Sequence, residues 1–480
     1  MNDSKYDLAI LGQGAGAFAA AIKANELGIR TAFVGKNMTK GTLVGGTCVN
    51  VGCVPSKNLI TVGSILDESE GDSRSFQSIK YGKSRLDFRK AIKEKDALVT
   101  KFRKEKYRNV LKDLEKVEHV PALAQFISKN EVRAGDKTIT ADKFIIATGA
   151  RAKIPSLEGL DKVRYLTNEE ALSLEELPDS MIVVGGRTLG LEFAQMYAHF
   201  GTKVTVLQRS DRILPEDEPE ISDALKYYLE QEGISIYAGV SLRRVSQAGK
   251  MKVVNATIDG KKSKEFRAEQ LLLATGRTPN TDFLKPEVAG VELDKNGFVK
   301  VNDEMQTSAA NIWAAGDVVG EPMLEALAAK EGAVAVVNAF GDDQKGKKKR
   351  INFREVPSAV FTYPEVARVG LTDADANGQG IKCSCGILPF ESVSKAHIIG
   401  DTRGLIKLVA NRETKKIVGI HILSPHAADL IHEGVLAIKF GLTIDDIIDT
   451  VHVFPTLSES IKLAAQSFYR DVNKMSCCTE

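Results

Sequence analysis

Two stretches of this chain constrain its fold more than any other feature. The first, "YDLAILGQGAGAFAAAIKANELGIRTAFVG", runs from Tyr6, and the second, "SMIVVGGRTLGLEFAQMYAHFGTKVTVLQR", from Ser180. Each reads as a short apolar strand, a glycine turn, a helix and a second apolar strand. A helix joining two strands of one sheet returns the chain to its starting edge, so the strands run parallel. A glycine turn between strand and helix marks a dinucleotide-binding unit. One such turn is weak evidence. Two, each in the same context, predict an α/β protein with two Rossmann-like dinucleotide-binding domains.

At 480 residues the chain is too long for a single core. "FIIATGARAKIP" and "LLLATGRTPN" each end an apolar strand in Ala-Thr-Gly, and the second βαβ unit lies between them. The second nucleotide domain therefore reads as an insertion in the first. The expected boundaries are a first nucleotide domain over 1–150, the inserted one over 151–275 and a return to the first over 276–350. The run "GDDQKGKKKR" reads as a solvated linker, with a partner-binding patch as the alternative. Alternating stretches such as "GLIKLVANRETKKIVGIHIL" predict hairpins, and helical patterns follow them. An α+β C-terminal domain over 351–480 is expected.

Composition excludes several classes. With 43% hydrophobic and 27% charged residues the chain is an ordinary globular sequence, and a net charge of +2 gives no reason to expect nucleic acid. No window resembles a membrane span, and the start "MNDSKYDLAILGQ" lacks the pattern of a secretory signal. A cytoplasmic protein with no membrane partner is expected.

In the first unit Gly12, Gly14 and Ala17 fill the three small-residue positions: tight turn, approach to a pyrophosphate, helix–strand packing. The helix start offers N–H groups to phosphate. Gly35 and Lys36 stand where an acid would hold a ribose. The second turn keeps Gly185 and Gly190 but has Arg187 in the middle, and its second strand ends in Gln208-Arg209. Arg209, with Arg212 beside it, would pair with a 2′-phosphate that an acid would repel. The assignment that follows is FAD in the first unit and NADPH in the second, with arginines facing solvent as the alternative. Thr148, Gly149, Gly276, Arg277, Gly316 and Asp317, at the ends of the later strands, are further expected cofactor residues.

Six cysteines fall in three pairs. Cys48 and Cys53, in "GGTCVNVGCVPSK", would make a poor staple: so short a loop contributes only about 2 kcal/mol, against about 4–5 for a long one. No second Cys pair with zinc spacing exists, so a redox pair fits best. Cys383 and Cys385, in "IKCSCGILPF", are expected to be ordinary strand residues pointing to opposite faces, unable to clasp one ion together. The seven histidines show no ligand spacing.

These motifs, with "ATGRTPN" and "AAGDV", resemble those of the flavin-dependent pyridine nucleotide–disulfide oxidoreductases along the whole chain. The resemblance implies that Cys53 lies against the flavin as charge-transfer thiol and that Cys48 attacks substrate. It also implies that Lys57 sits near the flavin N5, paired with Glu192, and that Asp317 bonds the ribityl chain. A homodimer is implied, with the C-terminal domain at the interface and the active site shared between subunits.

Disulfide-reducing members carry a His-Pro before "TLSE", oriented by a glutamate. Here the stretch is "VHVFPTLSES": Glu459 is present, but Phe454 stands at the His position, with His452 two residues earlier. Phenylalanine carries no proton. The tail "DVNKMSCCTE" adds adjacent cysteines, Cys477 and Cys478, at a chain end expected to be exposed. In this pair, in the missing base and in the second glycine turn, the chain resembles the mercuric reductases. Tyr165 matches a tyrosine held near the nicotinamide and metal in those enzymes, and Thr456 replaces another. The expected function is NADPH-dependent reduction of thiolate-bound Hg(II) to Hg(0), with Cys48, Cys53, Cys477 and Cys478 holding the metal as thiolates polarised by their site. The alternatives are a dihydrolipoamide or disulfide reductase using His452 or water as base, and a protein that sequesters mercury without reducing it.

Overall fold

The structure is a computed structural model, and it describes residues 5–36, 44–70, 78, 84–341 and 348–475. Cys477 and Cys478 lie outside the described residues. The chain forms two compact units: residues 1–55, 93–153 and 276–352, and residues 56–92, 154–275 and 353–480.

The first unit is built on a parallel sheet. Lys5–Leu11 lies between Thr31–Val34 and Lys137–Ile146, with Val117–Val120 outside Thr31–Val34 and Ile312–Ala314 against Lys137–Ile146. Leu8, Ala9, Ile10 and Leu11 are fully buried, as a strand covered on both faces requires. The antiparallel strands Ala124–Ser128 and Glu131–Ala134 extend this sheet. Helix Ala15–Glu26 follows the first strand, through Gly12 at φ +141°. A side chain on Gly12 would stand 2.0 Å from Ala147 O, so the turn admits only glycine. The same helix packs against Glu325–Phe340 at backbone distance: a Cβ on Gly332 would meet Gly16 O at 2.1 Å.

The second unit carries the other nucleotide-type sheet, parallel and four-stranded, in the order Ser235–Tyr237, Lys203–Leu207, Ser180–Val184, Gln270–Leu273. Helix Thr188–His199 follows Ser180–Val184 through Gly185 at φ +117°. A three-stranded antiparallel sheet spans Val240–Ala248, Met251–Ile258 and Lys262–Ala268. The C-terminal portion is a five-stranded antiparallel sheet with helices Ala427–Phe440, Ile444–Asp449 and Glu459–Gln466, an α+β arrangement. Residues 56–92, within the expected first domain, group with the second unit, because Leu59, Phe88, Ala91 and Ile92 join its core around Met181, Phe193 and Tyr197. Among the described residues no helix is long and apolar enough to cross a membrane.

Candidate redox-active cysteine site

Cys48 sits on the short helix Thr47–Val51, and Cys53 opens helix Cys53–Glu70. The loop before them is fixed by one buried side chain. Asn50 Nδ2 donates to the carbonyls of Val44, Gly45 and Gly46 at 3.3, 2.8 and 3.0 Å, and its Oδ1 accepts from Arg103 Nε at 2.8 Å. Both thiols are unbridged. The Cys48 thiol hydrogen-bonds Cys53 and donates to the carboxylate of Glu325, the first residue of helix Glu325–Phe340. One donor atom from each of Cys48, Cys53 and Glu325 lies within 4.8 Å of the others, and no other trio of His, Cys, Asp or Glu does so among the described residues.

Tyr107 completes the cluster. Its hydroxyl donates to Glu325 Oε1 at 3.3 Å, and its ring packs edge-on against Phe18, 4.9 Å between centroids. It lies on a π-helical turn, Arg103–Arg108, a geometry concentrated at functional sites. The hydrogen bond to Cys53, burial and the Glu325 carboxylate hold the Cys48 thiol well above its ordinary range, and burial does the same for the Tyr107 hydroxyl. The surroundings of Cys48 thus favour the thiol over the free thiolate. Glu325 and Tyr107 escaped the sequence reading, since neither belongs to a motif and both lie far along the chain from Cys48; Asn50 lies within the cysteine motif, but its role rests on the carbonyls its side chain reaches.

The nucleotide turns suit phosphate. Helix Ala15–Glu26 begins at Gly14 and Thr188–His199 at Arg187, both without a side-chain cap and without an acid in the first turn. Their N–H groups therefore meet no competing side-chain acceptor or first-turn acid, as a phosphate site requires. Ala17 is buried in helix packing, and the Thr148 hydroxyl, beside Gly149, is buried with no hydrogen-bond partner. Asp317 follows Gly316 and pairs with Arg277 Nε at 3.3 Å, while burial raises its carboxyl. Arg277, next to Gly276, also reaches Thr47 Oγ1 at 3.3 Å. These residues fit FAD. At the second turn Gly190 lies too close to Gly185 O for any side chain. Gln208 Oε1 accepts from Gly186 N at 2.8 Å. Arg187 pairs with Glu216, and Arg212 donates to the carbonyls of Pro215 and Asp217, at 3.0 and 3.3 Å. Arg212 is thus turned into its own loop, and Arg209 is the exposed guanidinium beside the strand end.

In the second unit Lys57 and Glu192 form an ion pair of 2.7 Å. Tyr165 packs into the apolar cluster of Leu160, Val163 and Leu271. Near the chain end, Glu459 Oε2 is buried without a hydrogen-bond partner. His452 spends both ring nitrogens elsewhere, Nε2 on Glu433 Oε1 at 2.9 Å and Nδ1 on Thr450 O at 3.0 Å. Cys383 and Cys385 do not face opposite ways: both pack against the small cluster of Leu371, Ala376 and Val409. Side chains alternate along a strand, so residues two apart share a face. Cys383 Sγ donates to Asp373 Oδ1 at 2.8 Å, and burial pushes the Cys385 thiol up to about 12.

Residues 6–332 match the family model of the pyridine nucleotide-disulphide oxidoreductases, and residues 356–465 match the dimerisation domain of that family. The chain is 40% identical to a mercuric reductase of Lysinibacillus sphaericus, over all of this chain and 85% of the relative. It is 39% identical to one of Staphylococcus aureus, over 99% of this chain and 85% of the relative. It is also 36% identical to dihydrolipoyl dehydrogenase 2 of Arabidopsis thaliana, over 96% of this chain and 90% of the relative. Among solved structures, the Cu(II) complex of the HOCl-induced flavoprotein disulfide reductase RclA from Escherichia coli superposes with a TM-score of 0.85 at 27% identity, covering 97% of this chain and all of that one. With both nucleotide turns, the cysteine pair and the dimerisation domain in place, this chain belongs to the pyridine nucleotide-disulphide oxidoreductases, enzymes that use FAD and NAD(P)H.

Proposed function

We propose that this enzyme reduces thiolate-bound Hg(II) to Hg(0) with two electrons from NADPH. The observation that carries this reading is the state of the acid–base position. Phe454 has no proton to give, Glu459 has an unpartnered oxygen where a histidine would be oriented, and His452 is held by Glu433 and Thr450. Disulfide turnover needs a proton for the leaving thiol. Reduction of a bound metal ion needs none. Meanwhile the Cys48 and Cys53 thiols converge on an open cluster of donors.

When bound, FAD supplies two-electron transfer between nicotinamide and the cysteine pair. The chain's own residues do the rest. The turns at Gly12, Gly14 and Ala17 and at Gly185, Arg187 and Gly190 hold pyrophosphates, Thr148 and Asp317 bond the flavin nucleotide, and Arg209 meets a 2′-phosphate. Cys48 and Cys53 hold the ion while it takes up the electron pair, and Cys477 and Cys478 deliver it. Tyr165 packs beside the nicotinamide, and the C-terminal domain pairs two copies into a homodimer. Identity of 40% and 39% to two mercuric reductases over 100% and 99% of this chain supports this reading.

The test is NADPH oxidation by the purified holoenzyme with HgCl₂ and excess small thiol, on wild type and Cys477→Ala/Cys478→Ala. Mercury-stimulated oxidation with release of Hg(0) vapour is expected, and the tail variant should be slower. Inhibition by mercury, with turnover of an oxidised dithiol, would make the protein a disulfide reductase instead.

A further inference from the structure

The carboxylate beside the cysteine pair has no part in the chemistry above. Glu325 stands at the start of a 16-residue helix, where an acid gains from the helix dipole alone. That explanation leaves its direction unaccounted for. One oxygen takes the Cys48 thiol and the other takes the Tyr107 hydroxyl. Both are thus turned onto the cysteine site, and Tyr107 fixes the carboxylate plane. The close backbone approach of Gly332 to Gly16 anchors the helix that carries Glu325. Glu325 is exposed, so an ion can reach the cluster from its side.

The donor set differs from what mercury needs. A linear two-thiolate ion is satisfied by the cysteines. A closed-shell ion of tetrahedral habit takes four donors from S, N and O, with neighbouring donors about 3.5–4 Å apart around it. The three donor atoms here already lie within 4.8 Å of one another. Small side-chain rotations adjust these spacings, opening the Cys48–Glu325 contact to admit an ion in place of the shared proton.

We propose that Glu325 is a third ligand of the reduced site, so that Cys48, Cys53 and Glu325 together bind Cd(II) or Zn(II), ions that a flavin cannot reduce. The two thiol protons leave to solvent, and two thiolates and a carboxylate face one divalent ion. Glu325 therefore sets the metal range of the pair: it adds affinity for ions that use an oxygen and none for an ion that does not. This rests on Cys48 and Cys53 being the reducible pair of the family, and not on mercury being the substrate.

The experiment is an anaerobic Cd(II) titration of the NADPH-reduced holoenzyme, in a Cys477→Ala/Cys478→Ala background that removes the tail thiols. Binding is read from the ultraviolet difference absorption of cadmium–thiolate bonds, with the flavin spectrum as the check of folding. Glu325→Ala and Glu325→Gln are expected to raise Kd for Cd(II) about tenfold or more. Tyr107→Phe, which loses only the orienting bond, should raise it by less, and Cys48→Ser should abolish the thiolate signal. If both Glu325 variants bind Cd(II) as tightly as the parent, the inference is overturned. Mercury turnover in the same preparations separates the two claims: a protein inert to Hg(II) that binds Cd(II) through Glu325 sinks the mercury reading and leaves this one standing.

Discussion

Lys57 Nζ lies 2.7 Å from Glu192 Oε2, and the other carboxylate oxygen accepts from Phe361 N at 3.0 Å. The Glu192 side chain is only 4% exposed, so its charge depends on these two partners. The lysine also lies over the Phe361 ring, 4.7 Å from the centroid. Removing it by Lys57→Met leaves a buried carboxylate unpaired, which is expected to cost on the order of 2 kcal/mol in urea unfolding. Glu192→Gln, which removes the charge as well, should cost less. Equal losses in the two variants would show that the pair is solvated in solution.

Restoring the missing histidine tests the acid–base argument directly. Phe454→His places an imidazole in the segment that ends at Glu459, whose Oε2 is buried and unpartnered. Turnover of an oxidised dithiol should rise by about a hundredfold, the lower end of what a positioned acid–base group supplies. His452→Gln should change it little, because that ring is tied to Glu433. A large loss in His452→Gln would reinstate His452 as the base.

The buried carboxylate of Glu331 sets a pH dependence. Its Oε2 accepts from Gly316 N at 2.7 Å, and burial pushes it up to about 7. Unfolded, it would titrate in the ordinary glutamate range. Between those values the folded chain binds the extra proton, so stability falls as pH rises through the window and stays lower above it. Glu331→Gln should therefore stabilise the protein at pH 8, on the order of 1–2 kcal/mol, and gain much less at pH 5. Thermal unfolding at the two pH values reads the difference, and a gain independent of pH would contradict it.

Asn50 holds the cysteine loop through three carbonyls and Arg103. Asn50→Ala should cost about 1–3 kcal/mol, the penalty for stranding buried polar groups. It should also slow reduction of the Cys48–Cys53 pair relative to flavin reduction in stopped-flow, since the thiols lose their fixed frame. An unchanged ratio of the two rates would mean the loop holds without it.

Much of this protein is local in the sequence. The glycine turns at Gly12 and Gly185 lie where strand becomes helix, and backbone geometry at those points forbids a side chain. Apolar runs such as Leu8–Leu11 report burial on both faces of a parallel strand. The cysteine spacing and the Lys57–Glu192 pair follow a family pattern that one chain displays. The face shared by Cys383 and Cys385 was also implicit in strand periodicity, although the expectation had it reversed.

What the tertiary structure alone decided is who stands beside Cys48. Glu325 and Tyr107 reach it from segments that meet only when two helices pack at backbone distance through Gly16 and Gly332. No periodicity encodes that meeting. The same holds for Arg212, turned to its own loop carbonyls, and for His452, captured by Glu433. The sequence sets backbone geometry and burial pattern because those depend on near neighbours. The charge around a thiol depends on side chains brought together across long stretches of chain, and only folding settles which ones arrive.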